Sequence, residues 1–324
     1  MILATVYIIT YKRFDSIYKT IDSALNQNYS NIELFVSDDG SPNFPYKDIV
    51  RYIESNKKEN IVSYHVLDNK ENVGTVKHIN KILKQANGDL YIPLAGDDSY
   101  FDNNVVRRIV ERYEQTHFKV LATSRAVYID EDKYISLLPH YKYRERIAKK
   151  MSTARQQHKK FTECKMMDFA SGSAMAYEAN FLKMMGFFDE KYRLWEDGPF
   201  INKVTSMGYV ITTAYDIVSI KYRGGGVSSD GNPIMLADIE LFNSKDRWIN
   251  ANSYGFFHRR ILKYTMLKYR HYSLITKYFI RLLYLDAVID QINYKMQEKF
   301  VVKEDTVHIN ITSEIWKSHH LACF

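Results

Sequence analysis

Cysteine is nearly missing from this chain: its 324 residues contain two, Cys164 and Cys323, far apart and without metal-ligand spacing. That usage excludes a disulfide scaffold and a cysteine metal site, and it predicts a reduced, cytoplasmic setting. No uninterrupted apolar run approaches the roughly 18 residues of a membrane span. Met1 leads straight into an apolar stretch with no basic leader, so no signal peptide is expected. Internal repeats and low-complexity tracts are missing too. The basic excess, a net charge of +7, points to an anionic partner such as phosphate groups or a membrane surface. No RNA- or DNA-binding motif accompanies it, so nucleic acid is not an expected partner.

What is present suits a sizeable core: 46% of residues are hydrophobic against 26% charged. Ile2–Thr10, Ile32–Val36, Ile61–Leu67 and Leu90–Ala95 are apolar runs that read as buried strands. Helical spacing follows each, for example Ile17, Ile21, Ala24 and Leu25, or Val76, Ile79, Leu83 and Ala86. This alternation predicts an α/β fold with a doubly wound, mostly parallel sheet. Polar clusters follow the strands: Thr10-Tyr11, Asp38-Asp39, Asn72 with Gly74, and Asp97-Asp98. Open α/β sheets bind ligands at the carboxyl ends of their strands, so four clusters on one edge point to one site. The stretch from Leu90 to Asp98 carries most weight. A buried strand that stops at Gly96 and presents two adjacent carboxylates suits a hard divalent cation, Mg2+ or Mn2+, together with phosphate. Turn chemistry alone also favours Asp at such a junction, so the pair gains meaning from its surroundings.

Taken in order, Thr10-Tyr11-Lys12-Arg13, Val36-Ser37-Asp38-Asp39-Gly40-Ser41, Asn72-Val73-Gly74 followed by Asn80, and Ala95-Gly96-Asp97-Asp98 resemble the nucleotide-sugar half of a family 2, GT-A-fold glycosyltransferase. The resemblance spans about residues 1–223. It implies that the Thr10-Tyr11 edge and Asp39 hold the nucleoside of the donor, a uridine. Asp39 would accept a hydrogen bond from the base's imide N–H, and Tyr11 would cover the ring. It also implies that Asp97, with Asp98 beside it, binds the Mn2+ or Mg2+ that bridges the diphosphate. Arg13, Asp38, Asn72, Gly74 and Gly96 complete the expected donor cradle. Two departures stand out: Ala95 occupies a place where the family commonly has an acid, and Ile79 one where an arginine often precedes the asparagine. Lys77 and His78 are the candidates to grip phosphate instead, although an exposed helical lysine is usually a solvated face.

Further along, Lys119–Thr123, Ala126–Ile129 and Tyr134–Leu138 read as short strands. Residues 140–160 set eight Lys/Arg against Glu145 and read as a basic loop, either solvated surface or a flap near the diphosphate. Then come a small apolar segment around Gly172, Gly186-Phe187-Phe188-Asp189-Glu190 and Trp195-Glu196-Asp197, a pattern similar to the acceptor half of the same family. It implies that Gly172 lets sugar and acceptor approach the backbone, that Asp197 is the catalytic base, and that Glu196 orients the acceptor. The reverse assignment of the two acids stays open. Acids at a helix start also complement its dipole. Pairing with a metal site far upstream, as direct displacement requires, favours catalysis. Tyr209–Ala214 and Ile217–Tyr222 read as strands. Arg223, ahead of three glycines, is the diphosphate candidate where related enzymes often place a histidine.

Residues 1–230 are therefore expected to form the catalytic domain, with a nucleotide-sugar half to 115 and an acceptor half from 116, and 231–324 a C-terminal helical extension. Between 255 and 302, nine Lys/Arg face three acids and interleave with Leu274, Tyr278, Leu282, Leu285, Ile289 and Ile292. The leading expectation is amphipathic helices packed on the catalytic domain or on a second copy in a homo-oligomer. Peripheral attachment to an anionic membrane, where lipid-linked acceptors reside, is the other reading. The resemblance implies an inverting hexosyltransferase that takes a UDP-sugar and a glycan or lipid-linked saccharide, as in capsule or lipopolysaccharide assembly. A single base with no evident covalent nucleophile agrees with inversion. A sugar nucleotidyltransferase would need a glycine-rich loop after the first strand, and Thr10-Tyr11-Lys12-Arg13 offers none. A nucleotide- or glycan-binding protein with a decayed site is the rival that Ala95 favours.

Overall fold

The computed structural model describes residues 1–129, 133–165, 167–222, 232–268 and 272–303. Within them, nine strands form one sheet: β1 (Ala4–Thr10), β2 (Ile32–Asp38), β3 (Ile61–Asp68), β4 (Leu90–Ala95), β5 (Ser99–Tyr100), β6 (Val120–Tyr128), β7 (Tyr134–Leu138), β8 (Met175–Glu178) and β9 (Ile211–Tyr222). Their order is β3-β2-β1-β4-β8-β6-β9-β5, with β7 paired to β6. The first four run parallel, β8 opposes both its neighbours, and β6 runs parallel to β9. Six of nine strands thus point one way, a mixed sheet whose parallel part carries the first half of the chain.

The helices are α1 (Ile17–Leu25), α2 (Tyr46–Asn56), α3 (Thr75–Leu83), α4 (Val105–Thr116), α5 (Tyr141–Lys150), α6 (Ala154–Thr162), α7 (Ala179–Met184), α8 (Asp197–Ser206), α9 (Pro233–Ser244), α10 (Phe256–Lys268), α11 (Leu274–Leu283) and α12 (Leu285–Lys303). Two cores sandwich the sheet, as the alternation of side chains along a strand requires. Tyr7, Phe35 and Tyr91 join one, with α3 and α8, while Val6, Ile8, Leu34 and Ile92 join the other, with α1, α2 and α4. Ile17, Ile21 and Leu25 are fully buried, each contributing roughly 1.5–3 kcal/mol by leaving water.

Two expectations need correction. The predicted strand pairs Lys119–Thr123/Ala126–Ile129 and Tyr209–Ala214/Ile217–Tyr222 are in fact single strands, β6 and β9. Their shared ladder absorbs the polar interruption as an irregularity between Thr123 and Ser124, where Ser124 Oγ donates to the Tyr215 carbonyl at 2.7 Å. Residues 140–160 are not a loop but α5 and α6. Thr153 and Gln156 form a reciprocal cap that starts α6, and Gln157 bonds both the N–H and the carbonyl of Ile211. Arg144 is buried, its guanidinium on Pro139 O and Ser124 Oγ and over the Tyr215 ring. Charge in the sequence hid a packed helix.

The C-terminal helices are not one appendage. Phe242 of α9 is fully buried in the main core, edge-on to Trp195 at 5.1 Å. By contrast α10 to α12 build a small cluster of their own around Tyr264, Tyr284 and Ala287. Lys165, bridging Glu163 and Asp290, ties α12 back to the body.

Candidate active site

Parallel register decides which residues share the rim. Thr10 pairs with Asp38, Asp38 with Asp68, and Ile9 with Ala95, so the four predicted clusters do fall on the carboxyl edge of β1 to β4. At the end of β1, Thr10 Oγ1 donates to Arg13 O at 2.9 Å and Lys12 takes a left-handed φ of 59°. Tyr11 projects beyond, 40% exposed, with Lys12 Nζ 4.9 Å from its ring centroid. Its free face can stack on a base.

Asp38 needs correction as a binding residue. It is fully buried, both carboxylate oxygens accept from Ser41, and Ser41 Oγ in turn accepts from Lys12 N. Burial pushes its carboxyl up despite those bonds. Asp38 therefore holds the turn behind the rim. Asp39 accepts from four donors: Asn69 Nδ2, Asn72 Nδ2, Val73 N and Gly74 N, at 2.9 to 3.1 Å. A carboxylate has about four lone-pair sites, so in this structure Asp39 organises the Asn72–Gly74 turn. Gly74 sits at φ +89°, and a Cβ there would lie 2.6 Å from Arg193 Cγ. His78 cannot grip phosphate: it is buried, 2.6 Å from Ser37 Oγ, and burial lowers its pKa to about 4. Lys77 is exposed, and its charge bears on Glu190.

The acid pair follows β4 through Gly96, where a Cβ would crowd Thr10 Cβ at 3.0 Å. Asp97 stays accessible and pairs with Arg13, whose Nη1 lies 3.2 Å from its Oδ2. Asp98 turns inward, takes Tyr222 N at 3.2 Å, and is pushed up to about 7 by burial and by the Asp97 charge. β5 makes this contact by pairing Ser99 with Ile220 at the end of β9. Among the described residues no cluster of three or more His, Cys, Asp or Glu is placed to hold a metal. Nucleotide enzymes commonly hold Mg2+ by one or two carboxylates, with phosphates and water completing the shell. Asp97 is the accessible carboxylate for that smaller requirement, and Asp98 stands turned inward behind it.

Glu196 and Asp197 open α8 beside Gly172. Gly172 N donates to Asp197 Oδ2 at 2.6 Å, and a Cβ on Gly172 would lie 2.4 Å from Glu196 Oε1. No side chain fits there. Asp197 Oδ1 accepts from Gly198 N at 2.6 Å, so both oxygens are aimed by backbone donors. Glu196 is half-buried, yet its carboxyl is crowded enough that burial, aided by the Asp197 charge, pushes it up to about 8. Its charge reaches Tyr7 of β1 and Tyr177 of β8, which places it over the middle of the sheet. Asp197 lines a cavity of about 170 Å³ with Arg125, Asp168, Ser171 and Trp195. A larger cavity of about 420 Å³, beside Asn28 and Asn60, lies before β2 and β3 at the opposite edge and contains none of the predicted site residues.

The two acid groups share their cations. Lys221 favours the charged forms of both Asp98 and Glu196, and Arg125 acts on Asp98 while lining the cavity beside Asp197. The Asp39 turn joins from the other side, since Arg193 Nη2 donates to Asn72 Oδ1 at 3.0 Å and Arg193 O accepts from Val76 N. Sequence reasoning missed Arg125, Lys221, Arg193 and, most consequentially, Asp238 of α9. The buried Asp238 carboxylate accepts from the backbone N–H groups of Arg193, Leu194 and Trp195 at 2.7 to 3.1 Å. Its one trace in the sequence is an acid amid apolar residues, Met235-Leu236-Ala237-Asp238-Ile239, in a helix that also carries Glu240 and has no cation beside Asp238. Arg223 lies outside the described residues.

Residues 5–181 match the family model of glycosyl transferase family 2. An uncharacterized glycosyltransferase of Rickettsia bellii (strain RML369-C) is 30% identical over 131 residues, 40% of this chain. The chain spans only 18% of that relative's length. Among solved structures, S. aureus TarS 1-349 in complex with UDP-GlcNAc superposes with a TM-score of 0.58 at 19% identity, over 82% of this chain and 71% of that one. The mannosyltransferase PcManGT from Pyrobaculum calidifontis, in complex with GDP-Man and Mn2+, gives 0.51 at 15% identity, over 89% and 86%. At these identities the likeness concerns the fold.

Proposed function

Since this chain belongs to glycosyl transferase family 2, we propose that it transfers a hexosyl group from a nucleotide-sugar, UDP-linked, to a hydroxyl of a glycan or lipid-linked saccharide, with inversion at the anomeric carbon. Bacterial surface polysaccharide assembly, capsule or lipopolysaccharide, is the setting such chemistry serves. Family membership and the nucleotide-sugars bound by TarS and PcManGT support the donor class.

Tyr11 stacks on the base at the rim, with Thr10, Asn72 and Gly74 shaping that edge. Arg13 moves from Asp97 to the diphosphate. Asp97, backed by Asp98, would hold Mn2+ or Mg2+, and such an ion would supply charge neutralisation on the departing diphosphate. The acceptor hydroxyl lies in the cavity and gives its proton to Asp197, whose oxygens each keep a lone pair beyond their backbone bonds. Glu196, whose carboxyl is pushed up by burial and by the Asp197 charge, orients the acceptor or sugar through a hydrogen bond. With Asp197 assigned as the base and Glu196 as the partner that orients the acceptor, displacement is direct.

The observation that carries this reading is the packing of Gly172 against both Glu196 and Asp197 at a cavity whose Arg125 also acts on Asp98. UDP release from a panel of UDP-sugars, with Mn2+ and with EDTA, tests it. Metal-dependent hydrolysis or transfer is expected. Nucleotide binding without turnover across donors and acceptors would overturn it in favour of a binding protein.

A further inference from the structure

Helix α11 has no buried residue. Leu274, Ile275, Tyr278, Phe279, Leu282 and Leu283 are 51 to 85% exposed. At 3.6 residues per turn they cover about half of the helix circumference. The opposite side is anchored, since Ile280 packs on the Tyr264, Tyr284 and Ala287 cluster. The apolar half therefore faces away from the body, so of the expected packing on the catalytic domain or on a second copy, Leu274, Tyr278 and Leu282 do not make the former. Leu285, Ile289 and Ile292 of α12 are also about half exposed. Monomeric soluble proteins rarely show an apolar patch of more than a few hundred Å² without using it.

Charge distinguishes the occupants. Arg281 borders one edge of the apolar half on α11 itself, with the half-buried Lys277 beyond it on the same edge, and Arg259 and Lys263 of α10 are exposed. No ion pair is formed by Lys277 or Arg281 among the described residues. Asp286 is taken by Arg260 at 2.7 Å and Asp290 by Lys165 at 2.6 Å. A second copy docking through this face would bring one basic rim against another. A lipid surface bearing phosphates would complement it, with the apolar half in the acyl boundary and the cations on headgroups.

We propose that α11 is a membrane-docking helix, which inserts its apolar half into an anionic bilayer while Lys277 and Arg281 pair with lipid phosphates. The proposal does not depend on the catalytic reading. Co-sedimentation of the full chain with phosphatidylcholine vesicles, with and without phosphatidylglycerol, tests it, alongside ultracentrifugation for oligomeric state. Binding is expected on the anionic vesicles and is expected to weaken with salt. Lys277→Gln and Arg281→Gln should each lower vesicle affinity by about five-fold, the value of one basic residue near such a surface. Phe279→Asp with Leu283→Asp should abolish binding while circular dichroism stays unchanged, because both side chains are solvent-exposed in the unbound protein. Absence of vesicle binding by the unsubstituted chain would overturn the proposal. So would a dimer that Phe279→Asp dissolves while vesicle binding is unaffected.

Discussion

Replacing Asp238 tests how the base is aimed. Its carboxylate accepts from three successive backbone N–H groups, those of Arg193, Leu194 and Trp195, immediately before Glu196 and Asp197. Hydrogen bonds to a charged group are worth about 1.5–3 kcal/mol each. Water can reach Arg193, which is exposed, so part of that is recovered, and Asp238→Ala should cost about 2–4 kcal/mol of stability. The kinetic effect should be larger than a stability change alone explains. A loop freed to shift by ~1 Å misplaces the base enough to lower turnover about 100-fold. Asp238→Asn keeps one oxygen acceptor and should fall between the two. The assay is kcat and donor KM by UDP release, with UDP affinity by calorimetry. We expect kcat to fall while UDP affinity and donor KM hold, since Asp238 does not touch the Tyr11 rim. In the Asp197→Asn background the same substitution should add little, as for residues acting through one group. A kcat equal to wild type, or losses that multiply in the double variant, would refute the reasoning.

Other outcomes follow from the same geometry. Gly172→Ala forces a methyl to within 2.4 Å of Glu196 Oε1, and should remove transfer while leaving UDP binding, which a transfer assay paired with calorimetry reads. Asp97→Ala should weaken both nucleotide affinity and transfer; unchanged affinity for UDP with Mn2+ would count against its assignment. Glu196 is raised from 4.5 to about 8 in the fold, so the folded state holds this proton more tightly than the unfolded chain. Its contribution is favourable at low pH and declines as pH rises from about 5 towards 8. Thermal melts of Glu196→Gln should therefore gain on wild type across that window; parallel melting curves would contradict the burial argument.

Much of the architecture was legible because buried parallel strands read as unbroken apolar runs and their helices as 3.6-residue stripes. Residues 140–160 were misread for a physical reason. Their lysines and arginines dominate the composition, while the groups that fix α6, Gln157 and His158, are polar residues buried by specific hydrogen bonds. Residue types at the rim were legible too, but not their use. Asp38 and Asp39 look alike in sequence, yet one closes a turn on Ser41 and the other gathers the Asn72–Gly74 backbone. Gly172 stood out by its small neighbours, whereas its approach to Asp197 needed coordinates. The role of Asp238 was not legible, since its partners are backbone groups some 45 residues away and carry no side-chain signature.

The central claim is that the Glu196-Asp197 step faces the nucleotide rim and that Asp197 takes the acceptor's proton. Transfer rate and nucleotide affinity measured together on Asp197→Asn address it most directly. Loss of a positioned general base predicts a rate lower by about a thousand-fold at unchanged affinity for UDP. A near-normal rate, or a rate lost only in step with affinity, would contradict it.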